Sequence, residues 1–228
     1  MPSRNVTSVI NWFLDNVCPP VLRDCKPFMY AVIYMAYGKK TRAVMEFKDR
    51  FPLMTQQEID SYYALIKDAP INRRPTDLNK QSVDYILDNI VGSDVLDAAC
   101  GRGFLARRIA GLEKLVTGLD IEVPDHDEKF SFVQGCLSQL PFDDNSFDTV
   151  LCTHALEHIT DGKKALNELL RVARHRVIII VPCQREYRYT PDLHITFFPY
   201  IYSLKKFVGI EKAEYLTLGN DFCCVIDL

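Results

Sequence analysis

Two patterns of apolar residues divide the chain at about residue 80. Apolar side chains recur every three or four positions within 6–17, which is the spacing of one helix face. The stretch 28–47 is apolar in its first half and basic in its second, and we interpret it as one helix, followed by another at 56–66. We therefore expect residues 1–79 to form a helical cap or lid for the remaining domain, 80–228.

Beyond a helix predicted at 79–90, short apolar runs typical of buried strands alternate with helix-periodic segments at 103–112 and 161–173. This alternation predicts a parallel sheet with helices on both faces. The last two strand-like runs are joined by Gly219-Asn220, a hairpin signal. We expect an α/β fold with a mixed seven-stranded sheet that ends in an antiparallel hairpin. The predicted strands lie at 94–99, 114–121, 130–134, 147–152, 177–181, 211–218 and 221–227.

Composition narrows the class of protein. The 228 residues are 48% hydrophobic and carry a net charge of −3, which is ordinary for a globular protein and gives no reason to expect a nucleic-acid partner. The N-terminus lacks the long apolar run of a secretory signal, so we expect eight free cysteines and a cytoplasmic location. The longest apolar run, 27–37, is about half the ~20 residues of a membrane span, so no membrane partner is expected.

The chemistry-bearing stretch is Asp94 to Ala110, a predicted strand, glycine turn and helix. The turn holds Gly101 and Gly103, which let a ligand approach the backbone and the helix N-terminus closely. Asp97 lies four residues before the first glycine. A carboxylate at that place disfavours a pyrophosphate and favours a ligand with a cationic amino group.

Four segments, taken in order, resemble class I S-adenosylmethionine-dependent methyltransferases with a small Rossmann-like domain of the type-11 group. The segments are VLDAACGRG at 95–103, GLDIE at 118–122, FVQGCLSQLPFDDNSFDTVLCTHALEHI at 132–159 and VIIIVP at 177–182. The resemblance covers roughly 80–228, and residues 1–79 match no family. It implies a Rossmann-like sheet and S-adenosyl-L-methionine as the cofactor.

The resemblance also implies which residues bind that cofactor. Asp97 would engage the amino group, and Asp120 would accept hydrogen bonds from the ribose hydroxyls. The adenine position falls on Cys136, a departure from the polar or acidic residue of the family, so backbone groups of Cys136 and Leu137 are expected to serve there. The full expected set is Asp97, Ala98, Ala99, Cys100, Gly101, Gly103, Phe104, Asp120, Ile121, Cys136, Leu137, Thr153 and His154.

Two other interpretations stay open. Residues 101–106 also fit the G-x-G-x-x-A fingerprint, with Asp120 about 20 residues further on, so an NAD-dependent oxidoreductase is the rival enzyme. The position of Asp97 and the LPFDDNSFD segment argue against it. A non-catalytic cofactor-binding partner subunit is the second alternative.

Methyl transfer to a hydroxyl needs a base, and histidine is the natural one near neutral pH. The candidates are His154, His158 and His194. If 154–158 were α-helical, His154, Glu157 and His158 would share one face, the pattern of a two-histidine, one-carboxylate metal site. Our prediction is that no metal is bound, with local hydrogen bonding of Glu157 and His158 instead.

The acceptor is expected to be a small molecule methylated on oxygen or nitrogen. Arg185, Tyr187, Arg188 and Tyr189 lie in the loop after strand five, where they would form a substrate wall. The alternative is an RNA or protein methyltransferase, for which the sequence offers a basic strip. The strip comprises Lys39, Lys40, Arg42, Lys48, Arg50, Arg73 and Arg74. The sequence leaves monomer and homodimer open.

Overall fold

The computed structural model describes residues 12–66, 69, 75–122, 128–190 and 192–228. The chain divides into two compact units. The helical unit comprises Met1–Arg74 and Gln184–Pro199, and the sheet unit comprises Pro75–Cys183 and Tyr200–Leu228. The first boundary lies close to the one predicted at 79/80, but residues 184–199 group with the N-terminal helices.

The helical unit contains residues 12–16 in helical conformation and four labelled helices. These are α1 (Pro20–Arg23), α2 (Lys26–Tyr37), α3 (Thr41–Arg50) and α4 (Gln56–Ile66). The prediction of one helix at 28–47 is wrong, because the chain turns at Gly38 with φ 55° and forms a 3₁₀ turn, Gly38–Lys40. Half of the helix predicted at 6–17, residues 6–11, lies outside the described residues.

The loop 184–199 belongs to this unit because its own side chains and carbonyls bind the helices. Lys48 Nζ lies 2.7 Å from the Glu186 carboxylate and donates to the Tyr187 carbonyl at 3.1 Å. The Tyr63 hydroxyl donates to the Leu193 carbonyl. Sequence periodicity does not report such contacts between distant segments, which explains why the predicted domain boundary omitted this loop.

The sheet unit contains α5 (Lys80–Asp88), α6 (Phe104–Ala110), α7 (Gly162–Val172) and α8 (Ile201–Val208). Its strands are β1 (Asp94–Ala98), β2 (Leu115–Asp120), β3 (Ser131–Gln134), β4 (Phe147–Thr153), β5 (Ala173–Pro182), β6 (Glu214–Leu218) and β7 (Asp221–Asp227). They form one sheet in the order β3-β2-β1-β4-β5-β7-β6. The first five strands are parallel, and β7 is antiparallel to both β5 and β6.

This architecture confirms the predicted mixed α/β sheet with its C-terminal hairpin. Two corrections concern its end: the strand predicted at 211–218 begins only at Glu214, and α8 was not predicted. No described helix has the length and apolar character needed to cross a bilayer.

The central strands are buried on both faces, which is why they appear in the sequence as continuous apolar runs. Val95, Leu151 and Ile178 pack in one cluster with apolar residues of α5 and α6. Leu96, Val150 and Ile179, at the alternating positions, are also fully buried. Because β1 to β4 run parallel, their carboxyl ends lie at one edge of the sheet, where this topology binds ligands.

Candidate active site

Strand β1 places a carboxylate inside the sheet unit, one residue before the strand ends. Asp97 pairs in register with Gly118 of β2 and Leu151 of β4, and its side chain is 1% exposed. Neither carboxylate oxygen has a hydrogen-bond partner of normal geometry among the described residues. Burial raises the Asp97 pKa to about 7, the nearby backbone N–H of Ala106 lowers it, and the charge of Asp120 raises it further. Such a group is stabilised by a cationic or hydrogen-bond-donating ligand.

The glycine turn beside Asp97 leaves open space for that ligand. Gly101 has φ +54°, and a Cβ built on it would have no heavy atom within 4 Å. Gly103 has φ +74°, and a Cβ there would lie 2.5 Å from Phe130 Cζ. The first glycine therefore faces free volume, whereas the second is required by packing at the start of α6.

Asp120 ends β2 and is held by the same turn. Its Oδ2 accepts a hydrogen bond of 2.7 Å from the Gly101 N–H, and its Oδ1 accepts one of 3.3 Å from the Glu122 N–H. Burial raises the Asp120 pKa, and these N–H donors oppose the increase. The carboxylate is thus fixed one strand away from Asp97, which is the arrangement needed to bind two separate parts of one ligand.

The other predicted cofactor residues lie at the carboxyl ends of the same parallel strands. Cys136 follows β3 and is exposed, and Leu137 beside it is buried. Thr153 is the last residue of β4. The remaining members surround the β1 turn: Ala98 is buried at the end of β1, Ala99 adopts φ 63°, Cys100 and Phe104 are partly buried, and Ile121 is exposed.

His154 lies between two carboxylates. Its Nε2 lies 3.2 Å from Asp221 Oδ1, and its Nδ1 lies 3.9 Å from Glu157 Oε1. Burial lowers the His154 pKa, but Asp221 together with Glu157 raises it more, so the net shift is upward. Its φ of 50° is a strained conformation for a non-glycine residue, which is kept where surrounding contacts require it.

Asp221 is a site residue that the sequence analysis missed. It is 1% exposed at the start of β7, and its Oδ2 accepts hydrogen bonds from Asn79 Nδ2 at 2.7 Å and Ser82 Oγ at 2.8 Å. The Asn79 side chain also caps α5 by accepting from the Ser82 N–H. The only sequence signal was an acid after the Gly219-Asn220 turn, and it became meaningful once β7 was placed beside β5.

The condition for a shared α-helical face of His154, Glu157 and His158 is not met, because only the 3₁₀ turn Leu156–His158 forms there. The three side chains nevertheless meet, since His158 Nε2 lies 4.0 Å from Glu157 Oε1. Glu157 is fully buried, and within the described part of the chain neither of its oxygens accepts a hydrogen bond of normal geometry. Burial raises its pKa to about 7, and the charge of His154 opposes this shift.

The predicted substrate-wall residues lie in the helical unit. Tyr187 and Tyr189 are buried members of its apolar core, whereas the Arg188 guanidinium lies 5.4 Å from the centre of the Tyr189 ring. His194 is 9% exposed and lies against Phe197, with ring centres 5.8 Å apart. Arg185 contributes a favourable charge to the half-buried Asp15 of the same unit.

Residues 96–181 match a family model described as a methyltransferase domain. This segment is a class I S-adenosylmethionine-dependent methyltransferase domain. A probable S-adenosylmethionine-dependent methyltransferase of Mycolicibacterium smegmatis is 31% identical over 106 residues, which are 44% of this chain and 41% of that protein. A ubiquinone/menaquinone biosynthesis C-methyltransferase of Hahella chejuensis is 37% identical over 98 residues, covering 36% of this chain and 39% of that protein.

The sheet of the methyltransferase domain is also found in a solved structure. The PH0226 protein of Pyrococcus horikoshii superposes with a TM-score of 0.53 at 14% identity, over 73% of this chain and 98% of that one. The matches to the two curated relatives span about two fifths of each relative's length. The methyltransferase domain is therefore the shared part, and S-adenosyl-L-methionine is the cofactor of that domain class.

Proposed function

We propose that this protein transfers a methyl group from S-adenosyl-L-methionine to a small-molecule acceptor. The observation that carries the proposal is the buried carboxylate of Asp97, which accepts no hydrogen bond of normal geometry among the described residues and lies on the strand that leads into the open Gly101 turn. An ammonium group satisfies that carboxylate, whereas a pyrophosphate would meet an uncompensated negative charge.

Each part of the site fits one part of this cofactor. Asp97 binds the amino group, and Asp120, oriented by the Gly101 and Glu122 N–H groups, accepts hydrogen bonds from the ribose hydroxyls. Leu137 supplies apolar contact for the base, with the backbone near Cys136 supplying its polar contacts. When bound, S-adenosylmethionine supplies a methyl group activated by a sulfonium centre, so the protein's main task is to position the acceptor.

The environments of His154, His158 and His194 differ, and this changes which of them is the better candidate for the general base. The upward pKa shift of His154 favours an imidazolium held between Asp221 and Glu157, which positions the end of β4 and does not accept a proton. His158 is the more accessible base in the sheet unit, since 27% of its side chain is exposed. His194 stays a candidate base of the helical unit.

A small-molecule acceptor is favoured over RNA by the pairing of the predicted basic strip. Arg42 lies 2.8 Å and Arg50 lies 3.5 Å from the Glu46 carboxylate. Lys48 pairs with Glu186. Two carboxylates thus offset part of the charge of these three cations within the helical unit, and Arg73 and Arg74 lie outside the described residues. Phosphate binding through this strip would have to break these ion pairs.

The acceptor atom is proposed to be oxygen or nitrogen, with carbon as the second candidate. The second candidate is supported by the name of the Hahella chejuensis relative, a C-methyltransferase. The cytoplasmic location also stays a prediction.

A labelling experiment tests the transfer and the acceptor together. The purified protein is incubated with S-adenosylmethionine carrying a deuterated methyl group and a small-molecule extract of its host, and the labelled products are identified by mass spectrometry. We expect label in small molecules, and loss of it in an Asp97→Asn, Asp120→Ala protein. Label found only in RNA or protein, or none above that double variant, contradicts the proposal.

A further inference from the structure

Four buried polar atoms of the helical unit have no hydrogen-bond partner of normal geometry among the described residues. They are Asp15 Oδ1, Arg23 Nε, Gln184 Oε1 and the hydroxyl oxygen of Tyr187. Gln184 and Tyr187 are only 4% and 8% exposed, so bulk water does not compensate them. Native proteins leave few such atoms unpaired, because each one costs free energy of folding. Four in one unit therefore indicate a place where a partner binds.

The four atoms belong to side chains that are neighbours. The Arg23 guanidinium lies 5.3 Å from the centre of the Tyr187 ring. Gln184 Nε2 donates a hydrogen bond of 2.6 Å to Asp192 Oδ2. Burial raises the Tyr187 pKa, and the nearby charges of Asp15 and Asp192 raise it further. With Arg185, whose charge acts on Asp15, these residues form the polar cluster: Asp15, Arg23, Gln184, Arg185, Tyr187 and Asp192.

The charges of the polar cluster balance. Burial raises the Asp15 pKa to about 6, while a backbone hydrogen bond from Arg185 and the charges of Arg185 and Arg23 oppose the increase. Asp15 is therefore mostly ionised above pH 7, and the cluster then holds two carboxylates and two guanidinium groups. A ligand anion would meet the carboxylates, and a ligand cation would meet the guanidinium groups. This balance favours a neutral ligand.

The unpaired atoms define which hydrogen bonds that ligand must make. The oxygens of an ionised Asp15 and of the Gln184 amide only accept, Arg23 Nε only donates, and the Tyr187 hydroxyl does either. The ligand therefore has to supply at least two donors and one acceptor. A hydroxyl group is both donor and acceptor, so adjacent hydroxyls of one molecule meet all these requirements without adding charge.

We propose that the polar cluster of the helical unit binds a neutral small molecule with several hydroxyl groups, of the sugar or cyclitol class. Its hydroxyls would pair with the four unpartnered atoms. Arg185 and Tyr187 were predicted as substrate-wall residues from the sequence, and the proposal adds Asp15, Arg23 and Gln184 to them. This binding goes beyond the proposed methyl transfer and does not depend on it.

The polar cluster extends from the interior of the helical unit to solvent. Gln184 and Tyr187 are buried, whereas Asp15, Arg23 and Asp192 are partly exposed. A ligand can therefore enter past the charged side chains and reach the buried amide and phenol. Ordered water is the alternative partner for the same atoms, since one buried water makes about three hydrogen bonds. The two occupants differ in what they predict for added polyols.

Ligand-observed NMR with probes of matched ring size tests the proposal. The full chain is titrated at pH 7.5 with myo-inositol, D-glucose, cyclohexanol, cyclohexanecarboxylate and cyclohexylamine, and the dissociation constant of each is measured by saturation transfer. We expect at least one of the two polyols to bind about tenfold or more tightly than each of the other three probes. Cyclohexanol would leave buried polar atoms unpaired, and the two charged probes would each meet a like charge.

Tyr187→Phe removes one unpaired atom and keeps the ring. We expect it to weaken polyol binding about tenfold and to leave the unfolding temperature of the free protein unchanged or raised, because the lost hydroxyl had no partner of normal geometry in the described part of the chain. A purely structural role for this hydroxyl would lower the unfolding temperature. Tyr62→Phe is the matched control, because the Tyr62 hydroxyl accepts a hydrogen bond from Arg50 in the same unit, and it should bind the polyol like the parent protein.

Asp15→Asn tests the charge balance. The polar cluster would then carry a net positive charge, so cyclohexanecarboxylate should bind about fivefold more tightly than it binds to the parent protein. Asp60→Asn is its control, because Asp60 accepts a hydrogen bond from Gln56 on α4 and is not a member of the polar cluster. Its affinity for each probe should match that of the parent protein.

Circular dichroism and thermal unfolding confirm that each variant is folded. The proposal is overturned if neither polyol binds more tightly than cyclohexanol, since ordered water would then be the partner of these atoms. It is also overturned if Tyr187→Phe binds the polyol as the parent protein does, or if Tyr62→Phe weakens binding equally. None of these titrations requires S-adenosylmethionine, so their outcome is separate from that of the proposed methyl transfer.

Discussion

At the scale of single residues, the site is built from carboxylates that the fold alone does not stabilise. Asp97 and Glu157 are buried and find no hydrogen-bond donor of normal geometry in the part of the chain that the structure describes, and burial raises the pKa of each to about 7. A carboxyl group with a raised pKa favours the folded state when protonated and disfavours it when ionised. Retaining buried carboxyl groups of this kind is consistent with stability given up for ligand binding.

The raised pKa of Asp97 predicts a pH-dependent affinity. Binding of an ammonium-bearing ligand requires the ionised carboxylate, so affinity should fall as the pH drops below about 7. We expect S-adenosylhomocysteine to bind about ten- to thirtyfold more weakly at pH 5.5 than at pH 7.5, as measured by calorimetry. Asp97→Asn should bind weakly at both values. It should also unfold at a higher temperature at neutral pH, because it removes the buried charge.

Asp97→Asn also shows whether Asp97 or Glu157 causes the pH dependence of binding. Glu157, in the turn after β4, has a pKa raised to the same value of about 7. If Asp97→Asn kept the parent's pH dependence, Asp97 would not be the group that controls binding.

Asp221 is predicted to keep His154 protonated. In Asp221→Asn the charge facing Nε2 is lost and burial dominates, so the His154 pKa should fall. Because a histidine with a raised pKa stabilises the fold below its unfolded pKa and loses this effect as the pH rises through its folded pKa, the variant should lose stability most at acidic pH. NMR titration of the histidine Cε1–H resonances measures the shift. An unchanged His154 pKa in the variant would remove Asp221 from this role.

At the scale of elements, the two glycines of the β1–α6 turn have different structural roles. Gly101 faces open space and Gly103 packs against Phe130, although the two have similar positive φ. The sequence predicted both as ligand-approach positions, since a G-x-G pattern does not reveal which glycine has a side-chain neighbour. The three-dimensional contacts make that distinction.

Gly101→Ala should weaken cofactor binding more than it weakens the fold. Alanine at positive φ costs about 1–2 kcal/mol, and its Cβ would enter the open space of the β1–α6 turn, where the cofactor is proposed to bind. Gly209→Ala is the matched control, because Gly209 also has positive φ (+71°) and its nearest neighbour to a built Cβ is Lys163 Nζ at 3.5 Å. Thermal unfolding and S-adenosylhomocysteine titration of both variants provide the comparison. Equal loss of affinity in the two would mean that backbone strain alone is responsible.

Local pattern predicted the elements of the sheet unit well because each one buries its own apolar face. The helix predicted at 79–90 and the five parallel strands illustrate this, since their apolar patterns repeat within a few residues. Features that depend on distant partners could not be predicted in the same way. Asp221 acts through Asn79 and Ser82, and loop 184–199 is held by Lys48 and Tyr63.

At the scale of the whole molecule, a methyltransferase domain is joined to a helical unit for which the family resemblance offers no counterpart. The predicted cofactor-binding residues all lie in the sheet unit, whereas the predicted substrate-wall residues and His194 lie in the helical unit. The family resemblance accounts for binding of the methyl donor in the sheet unit. It does not account for binding of the acceptor, which is predicted to involve the helical unit. Acceptor specificity is therefore expected to follow residues 184–199 and the N-terminal helices.

The central claim, that the glycine turn serves a methyl donor, is tested most directly by calorimetric titration of the full chain with S-adenosylhomocysteine and, separately, with NAD. We predict micromolar or tighter binding of S-adenosylhomocysteine, none of NAD, and loss of S-adenosylhomocysteine binding in Asp120→Ala, because Asp120 is the carboxylate that the Gly101 and Glu122 N–H groups orient. Binding of NAD without binding of S-adenosylhomocysteine would contradict the account.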